Sequence, residues 1–192
     1  MIESHNPLAE VAKGEASPEA VLRLARWLRA NPDGWVRLYH GTDARVPVEA
    51  EGLRPTSTRR RNSLQSRSGY VSFSIYPGHA EMFALIAFPQ RAVTVYGVDL
   101  RVRELVPDTD QLRNQRIWAE RCVRPTLAHS LAYGHGAQVR GVVSAARLFP
   151  VRTVTPSRGA LDYDRPRVSV ATASVGGGAL DVRAKAGVGI SL

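Results

Sequence analysis

The stretch Gly69–Ala84, GYVSFSIYPGHAEMFA, changes its hydrophobic period half-way along, and that change limits what the chain can fold into. Up to Ile75 the residues alternate. Val71, Phe73 and Ile75 fall on one side of a strand, toward a core, while Tyr70, Ser72 and Ser74 fall on the other, toward a cleft. Pro77-Gly78 then opens a helix that reaches about Phe88, with Met82, Phe83, Leu85 and Ile86 expected on its buried side. A second strand, Trp35–His40, precedes this unit with Val36, Leu38 and His40 on one face, and runs into Gly41-Thr42. A third, Ala92–Leu100 (AVTVYGVDL), is strongly β-branched.

Residues 1–16 read as a loose lead-in. Ser17-Pro18-Glu19 is a helix start, with a hydroxyl cap, a proline where the missing N–H costs nothing, and an acid in the first turn. Val21, Leu22, Leu24, Ala25 and Leu28 continue at helical spacing until Asn31-Pro32-Asp33-Gly34 turns the chain. Val48–Leu53 is expected to be a short helix stopped near Gly52, and Thr56–Ser68 a loop. Asp108-Thr109-Asp110 caps a helical stretch reaching about Val123, broken by Pro125 and followed by a second piece over Thr126–Ala132. Gly134-His135-Gly136 is a turn before two last strands, Ala137–Ser144 and Arg147–Val154.

The order of elements predicts an α+β domain with a bent or split sheet and a cleft between its halves. Residues 1–34 form a lead-in and accessory helix, 35–156 the main domain, and 157–192 a flexible glycine-rich tail. No glycine fingerprint follows a strand and no P-loop is present, so a nucleotide would have to be held in another way.

Composition narrows the classes. None of the 192 residues falls in an apolar run of the roughly 18 to 20 needed to span a bilayer. The first residues lack the basic start and apolar core of a secretory leader, and the one cysteine, Cys122, permits no internal disulfide and reads as a buried small residue. These points predict a cytoplasmic protein with no membrane partner. His5, His79, His129 and His135 show no metal-ligand spacing, and no metal is expected. The formal charge is +9, carried almost wholly by arginine. Between Gly52 and Ala80 stand Arg54, Arg59, Arg60, Arg61 and Arg67 without one acid. Such a stretch suits a nucleic acid, a phosphate-rich cofactor or an acidic protein, and equally an exposed solvated loop.

His40-Gly41-Thr42 puts a ring donor, an open backbone and a hydroxyl within a few ångströms, and Tyr70, Ser72 and Ser74 add an aromatic face and hydroxyls from the other strand. A cleft so lined suits a flat aromatic ring joined to a sugar and phosphates. The simpler alternative is a hydrogen-bonded strand histidine beside a sheet-surface tyrosine.

Taken together, Tyr39-His40-Gly41-Thr42, Glu51-Gly52-Leu53, GYVSFSIYPGHAEMFA and AVTVYGVDL with LVPDTDQL resemble the ADP-ribosyltransferase superfamily over about residues 35–154. The branch is the one whose first motif is a strand-end histidine in YHGT, shared by rifamycin-modifying ADP-ribosyltransferases and RNA 2′-phosphotransferases. The resemblance implies an NAD cleft in a split, bent sheet. In it His40 holds the adenosine ribose, the Gly41 backbone the nicotinamide amide, and Tyr70 and Phe83 stack on nicotinamide, with Thr42, Ser72 and Ser74 among the cofactor-binding residues. The third motif, usually a glutamate at the nicotinamide ribose, falls on Gln138, with Glu120 the nearest alternative acid. The implied activity is transfer of one ADP-ribose from NAD with release of nicotinamide. The acceptor is nucleic acid ahead of protein, with Arg54, Arg59, Arg60, Arg61 and Arg67 on its phosphates. A bacterial or phage toxin or effector with a cognate antitoxin or larger system fits this size. The rivals are a rifamycin-type small-molecule transferase, an RNA 2′-phosphotransferase, and an NAD- or ADP-ribose-binding module without turnover, which the neutral Gln138 favours.

Overall fold

The computed structural model describes residues 7–12, 16–55, 67–114 and 125–156. The arginines at 59–61, Glu120, Cys122 and the tail 157–192 lie outside this set. Its helices are α1 (Leu8–Val11), α2 (Pro18–Ala30), α3 (Val48–Glu51), α4 (Pro77–Ala87), α5 (Thr109–Asn114) and α6 (Leu127–Tyr133). Its strands are β1 (Trp35–Asp43), β2 (Tyr70–Ser74), β3 (Val93–Arg101), β4 (Leu105–Pro107), β5 (Gly136–Arg140) and β6 (Leu148–Val154). The strands form one antiparallel sheet in the order β4-β5-β2-β1-β3-β6, flanked by helices. No helix among the described residues is long and apolar enough to cross a membrane.

The sheet is split. β1 and β3 pair along their whole length, from Trp35 opposite Arg101 to Asp43 opposite Val93. β2 pairs with β5 from Tyr70 opposite Arg140 to Ser74 opposite Gly136. Between β1 and β2 the register is confined to Tyr39 opposite Ser74. Two three-stranded groups, β4-β5-β2 and β1-β3-β6, therefore meet at one pair, at the end of β2.

One face of this sheet carries the core. Val36 and Leu38, Val98 and Leu100, Val71 and Phe73, and Ala137 and Val139 pack with Leu24 and Leu28 of α2 and with Ala128, Leu131 and Ala132 of α6. α2 starts as expected: Ser17 Oγ accepts the Ala20 N–H at 3.2 Å and Pro18 occupies the first turn. The lead-in is more ordered than the sequence indicates. Leu8–Val11 is helical, Val11 is fully buried, and the Tyr76 hydroxyl donates to the Ala12 carbonyl. β1 runs three residues beyond its expected end because β3 continues to pair with it to Asp43, whose carboxylate Arg45 and Arg91 hold well below the ordinary range. The short strand β4 was not expected at all.

The buried side of α4 differs from the expected one. Ala80 and Ala84 are its buried residues, whereas Met82 and Ile86 are 46% and 42% exposed. The reason lies on β1. A side chain at Gly41 would stand 2.2 Å from the Ala80 carbonyl oxygen and 2.7 Å from the Ala84 Cβ. The helix thus seats its two alanines, one turn apart, directly on a strand glycine, and its larger side chains flank that seam.

Gly41→Ala should push α4 off β1 and cost about 2–3 kcal/mol, read as a lower midpoint in urea unfolding. A second prediction concerns Glu104, which binds Arg147 at 2.6 and 2.9 Å and accepts the Arg101 N–H at 2.7 Å. These contacts, the Arg147 hydrogen bonds first, lower its pKa from 4.5 to about 2. A lowered carboxylate pKa contributes stability above the ordinary value that is lost as pH falls toward the folded one. Glu104→Gln should therefore cost about 1–2 kcal/mol at pH 7. That difference should shrink through the window between 4.5 and about 2, checked by thermal melts across it.

Candidate functional site

The site forms where β1 and β2 part. His40 follows Tyr39, the last β1 residue in register with β2. Its Nδ1 lies 2.8 Å from the Ser72 carbonyl oxygen, and its ring stands edge-on to Phe73 with centroids 5.7 Å apart. A carbonyl only accepts, so Nδ1 carries the proton and donates. The side chain thereby supplies across the gap the kind of bond that a paired strand would have made.

The Ser72 carbonyl points toward β1, so Ser72 and Gln138 form a pair on β2 and β5 that exchanges no backbone bonds. In such pairs the side chains lie closest. Gln138 Nε2 donates to Ser72 Oγ at 3.1 Å and reaches Asp108 Oδ1 at 3.3 Å and Asp110 Oδ2 at 3.4 Å. Carboxylates in their ionised form only accept, which fixes the amide nitrogen on that side. Gln138 is fully buried, and its Oε1 has no hydrogen-bond partner among the described residues.

Asp108 and Asp110 are the residues that sequence reasoning missed as site groups. Asp108-Thr109-Asp110 reads there only as a helix cap, and Asp108 does cap α5, with Oδ1 accepting the Gln111 N–H at 3.0 Å. The signal was the Leu-Val-Pro just before it. That segment is β4, whose Val106 pairs with Gln138 and so brings the following acids to the amide. Asp108 is 3% exposed, and its backbone N–H donates to Ser130 Oγ at 2.8 Å. Burial first, and the neighbouring Asp110 charge, push its carboxyl pKa up. Asp110 Oδ2 accepts the Arg67 backbone N–H at 2.6 Å.

The other expected residues divide. Tyr70 is half-buried on the face of Ser72 and Gln138, with the Arg67 guanidinium 4.3 Å from its ring centroid. Ser74 is buried and serves the chain turn: its hydroxyl donates to the His135 carbonyl at 3.1 Å and accepts the Tyr76 N–H at 3.1 Å. Those contacts help hold His135 at a φ of 53°. The side of Gly41 where a side chain would stand is filled by α4, so helix packing accounts for the glycine there. Thr42 is buried on β1, and Phe83 is half-buried on α4. Arg54 is exposed and pairs with Glu51 at 3.4 Å. Arg59, Arg60, Arg61 and Glu120 lie outside the described residues. Among the described residues no three histidines, cysteines or acids are grouped to hold a metal ion.

The wall so built is rich in hydrogen-bond acceptors: two carboxylates, the Ser72 hydroxyl and an amide oxygen left without a donor. A buried polar atom without a partner costs about 1–3 kcal/mol, so such a wall favours a ligand that brings O–H or N–H groups. Compared with known proteins, the chain matches no protein-family model and no curated protein.

Asp108→Asn keeps the oxygen that caps α5 and removes the buried charge. A carboxyl whose pKa is raised by folding contributes stability at low pH that is lost as pH climbs through the folded value. The asparagine variant should therefore melt at the wild-type temperature near pH 4 and about 2–4 °C higher at pH 8, measured by calorimetry at both.

Proposed function

We propose that this chain is an NAD-dependent mono-ADP-ribosyltransferase that moves one ADP-ribose to an acceptor substrate, nucleic acid ahead of protein. The observation that carries this reading is the gathering of His40, Ser72 and Gln138 with Asp108 and Asp110 at the parting of two sheet halves. The groups fit the dinucleotide by chemistry. The unpartnered Gln138 Oε1 and the carboxylates take hydroxyl donors of a ribose, His40 is oriented by Ser72 for the other ribose, and Tyr70 offers a ring for stacking. Bound NAD supplies a glycosidic bond that breaks with its electron pair leaving on neutral nicotinamide, while the acceptor atom bonds to the same ribose carbon and loses a proton.

The carboxylates matter most for this reading. A glutamine in the third motif brings no negative charge, and the charge that builds on the ribose during transfer calls for one. Asp110, anchored by the Arg67 N–H, and Asp108, capping α5, both face the Gln138 amide nitrogen. Together they restore an acidic wall against the amide nitrogen. Ser72 links that wall to β1 through the His40 bond to its carbonyl. One ADP-ribose per acceptor fits this arrangement better than chain extension, which in the family leans on the glutamate that Gln138 replaces.

Purified protein with NAD should release nicotinamide, and His40→Ala and Asp110→Asn should each lower that rate by about a hundredfold while remaining folded by circular dichroism. A melting temperature raised by NAD without any release would instead support the binding module. Neither release nor a shift would overturn the NAD reading.

A further inference from the structure

Among the described residues four arginines stand on strands, and three of them are held by carboxylates. Asp99 takes Arg37 through two bonds of 2.8 Å, Asp33 pairs with Arg101 at 3.2 Å, and Glu81 pairs with Arg152 at 2.6 Å. The fourth, Arg140 at the end of β5, is exposed and has no ion pair among the described residues. Its register partner on β2 is Tyr70. The Gly141 N–H donates to the Gly69 carbonyl at 2.9 Å, so the backbone bonds fall on the neighbouring pair. Tyr70 and Arg140 form a pair without them, in which side chains lie closest. A second guanidinium, that of Arg67, lies 4.3 Å from the centroid of the same ring. Arg67 is exposed as well. Its backbone N–H binds Asp110, but its side chain turns to the ring and pairs with no carboxylate among the described residues.

These two cations continue the wall around Gln138. Ser72 and Gln138 are the next register pair on the same face, two residues along each strand, so about 7 Å separates the pairs. A Cβ built on Gly69 or Gly141, the residues just beyond Tyr70 and Arg140, would meet nothing within 4 Å, so this end of the two strands is open. Asp110 is close by, but its Oδ2 is already engaged by the Arg67 N–H at 2.6 Å and the Gln138 amide at 3.4 Å, and two guanidinium charges outweigh its one. A ligand lying along this face meets hydrogen-bond acceptors at Gln138 and a cationic pair one step further on. That order calls for hydroxyls at one end and an anion at the other, spaced as they are in a ribose 5′-phosphate.

We propose that Arg67 and Arg140 form a phosphate clamp at the open end of the Gln138 wall, gripping the phosphate of a ribose phosphate whose hydroxyls meet Gln138 and Ser72. A guanidinium suits this task because its planar fork matches phosphate oxygens two at a time. Tyr70 serves the clamp by holding the flat face of the Arg67 guanidinium, which leaves its N–H edge to the ligand. The proposal rests on the transferase reading for its setting and names the part of the substrate that Arg140, a residue outside every sequence motif, would take. NAD brings this group as the phosphate next to its nicotinamide ribose, and a nucleic-acid acceptor brings it in its backbone.

The test is titration calorimetry of the full chain with nicotinamide mononucleotide and with nicotinamide riboside, which differ only in the phosphate. A short oligo(rU) probes the second source, and nicotinamide release from NAD is measured on the same preparations. The mononucleotide should bind about tenfold more tightly than the riboside. Arg140→Ala and Arg67→Ala should each remove most of that advantage, and Arg140→Lys should keep part of it. Arg26→Ala, which removes one exposed charge from α2, should leave it intact. An oligonucleotide affinity that falls about tenfold in Arg140→Ala, with no such fall for the mononucleotide, would assign the clamp to the acceptor. The clamp is overturned if neither phosphate probe binds, if neither weakens in Arg140→Ala, or if Arg26→Ala weakens them as much. Phosphate-dependent binding without nicotinamide release would keep the clamp and sink the transferase reading. Release with no loss of affinity in either arginine variant would do the reverse.

Discussion

The single register pair between Tyr39 and Ser74 governs the rest of this structure. On one side of β1 the pairing with β3 is unbroken over nine residues, and on the other it stops almost as soon as it starts. α4 accounts for part of this. It follows β2 after only two residues and seats Ala80 and Ala84 on Gly41, two positions beyond the pair. A helix that close to the strand anchors the end of β1 to α4 and β3 rather than to β2. The gap is stabilised rather than left open to slippage, because the His40 ring donates into it at Ser72. Glycine, two alanines and one histidine thus set the geometry that any ligand in the gap would meet.

The acidic side of the gap is costly in isolation, and its cost explains its construction. Asp108 is almost wholly buried, with a second carboxylate nearby, and both effects disfavour its charge. The structure offsets them with local donors: the Gln111 N–H at the helix start and the Gln138 amide. Gln138 Oε1 is among the buried polar atoms left without a hydrogen bond among the described residues, with Gln111 Nε2 and Glu81 Oε2. A buried acceptor left so costs about 1–3 kcal/mol, which an apolar side chain at that position would not.

Much of the framework is legible in the sequence, and the reasons are local. β2 and β3 announce themselves by alternation and β-branching, and α2 by its serine cap and proline. The mixture of helices with one sheet follows from the order of elements. Tertiary packing decides what was not legible. Met82 and Ile86 look like the buried side of α4 by hydrophobicity alone, and only the close approach over Gly41 shows why the alanines win. Asp108 and Asp110 look like a cap because they are one. That they also face Gln138 depends on β4, a three-residue strand too short to show a period. Ser74 illustrates the converse: it lies on the expected face, yet its hydroxyl is taken up by the turn at His135.

The parting of the strands also resolves a conflict of faces. Tyr39 shares a face with Ser74, so His40 belongs to the opposite one, the face of Val36, Leu38 and Phe73. Ser72 and Gln138 belong to the face of Ser74. In a continuous sheet the imidazole and the amide would be separated by the backbone layer, and no small ligand would touch both. Because β1 and β2 diverge after one pair, the layer is interrupted there and the histidine reaches sideways into the interruption. A ligand lodged in the gap can meet groups from both sides of the sheet, one set fixed by the core and the other by β4 and α5.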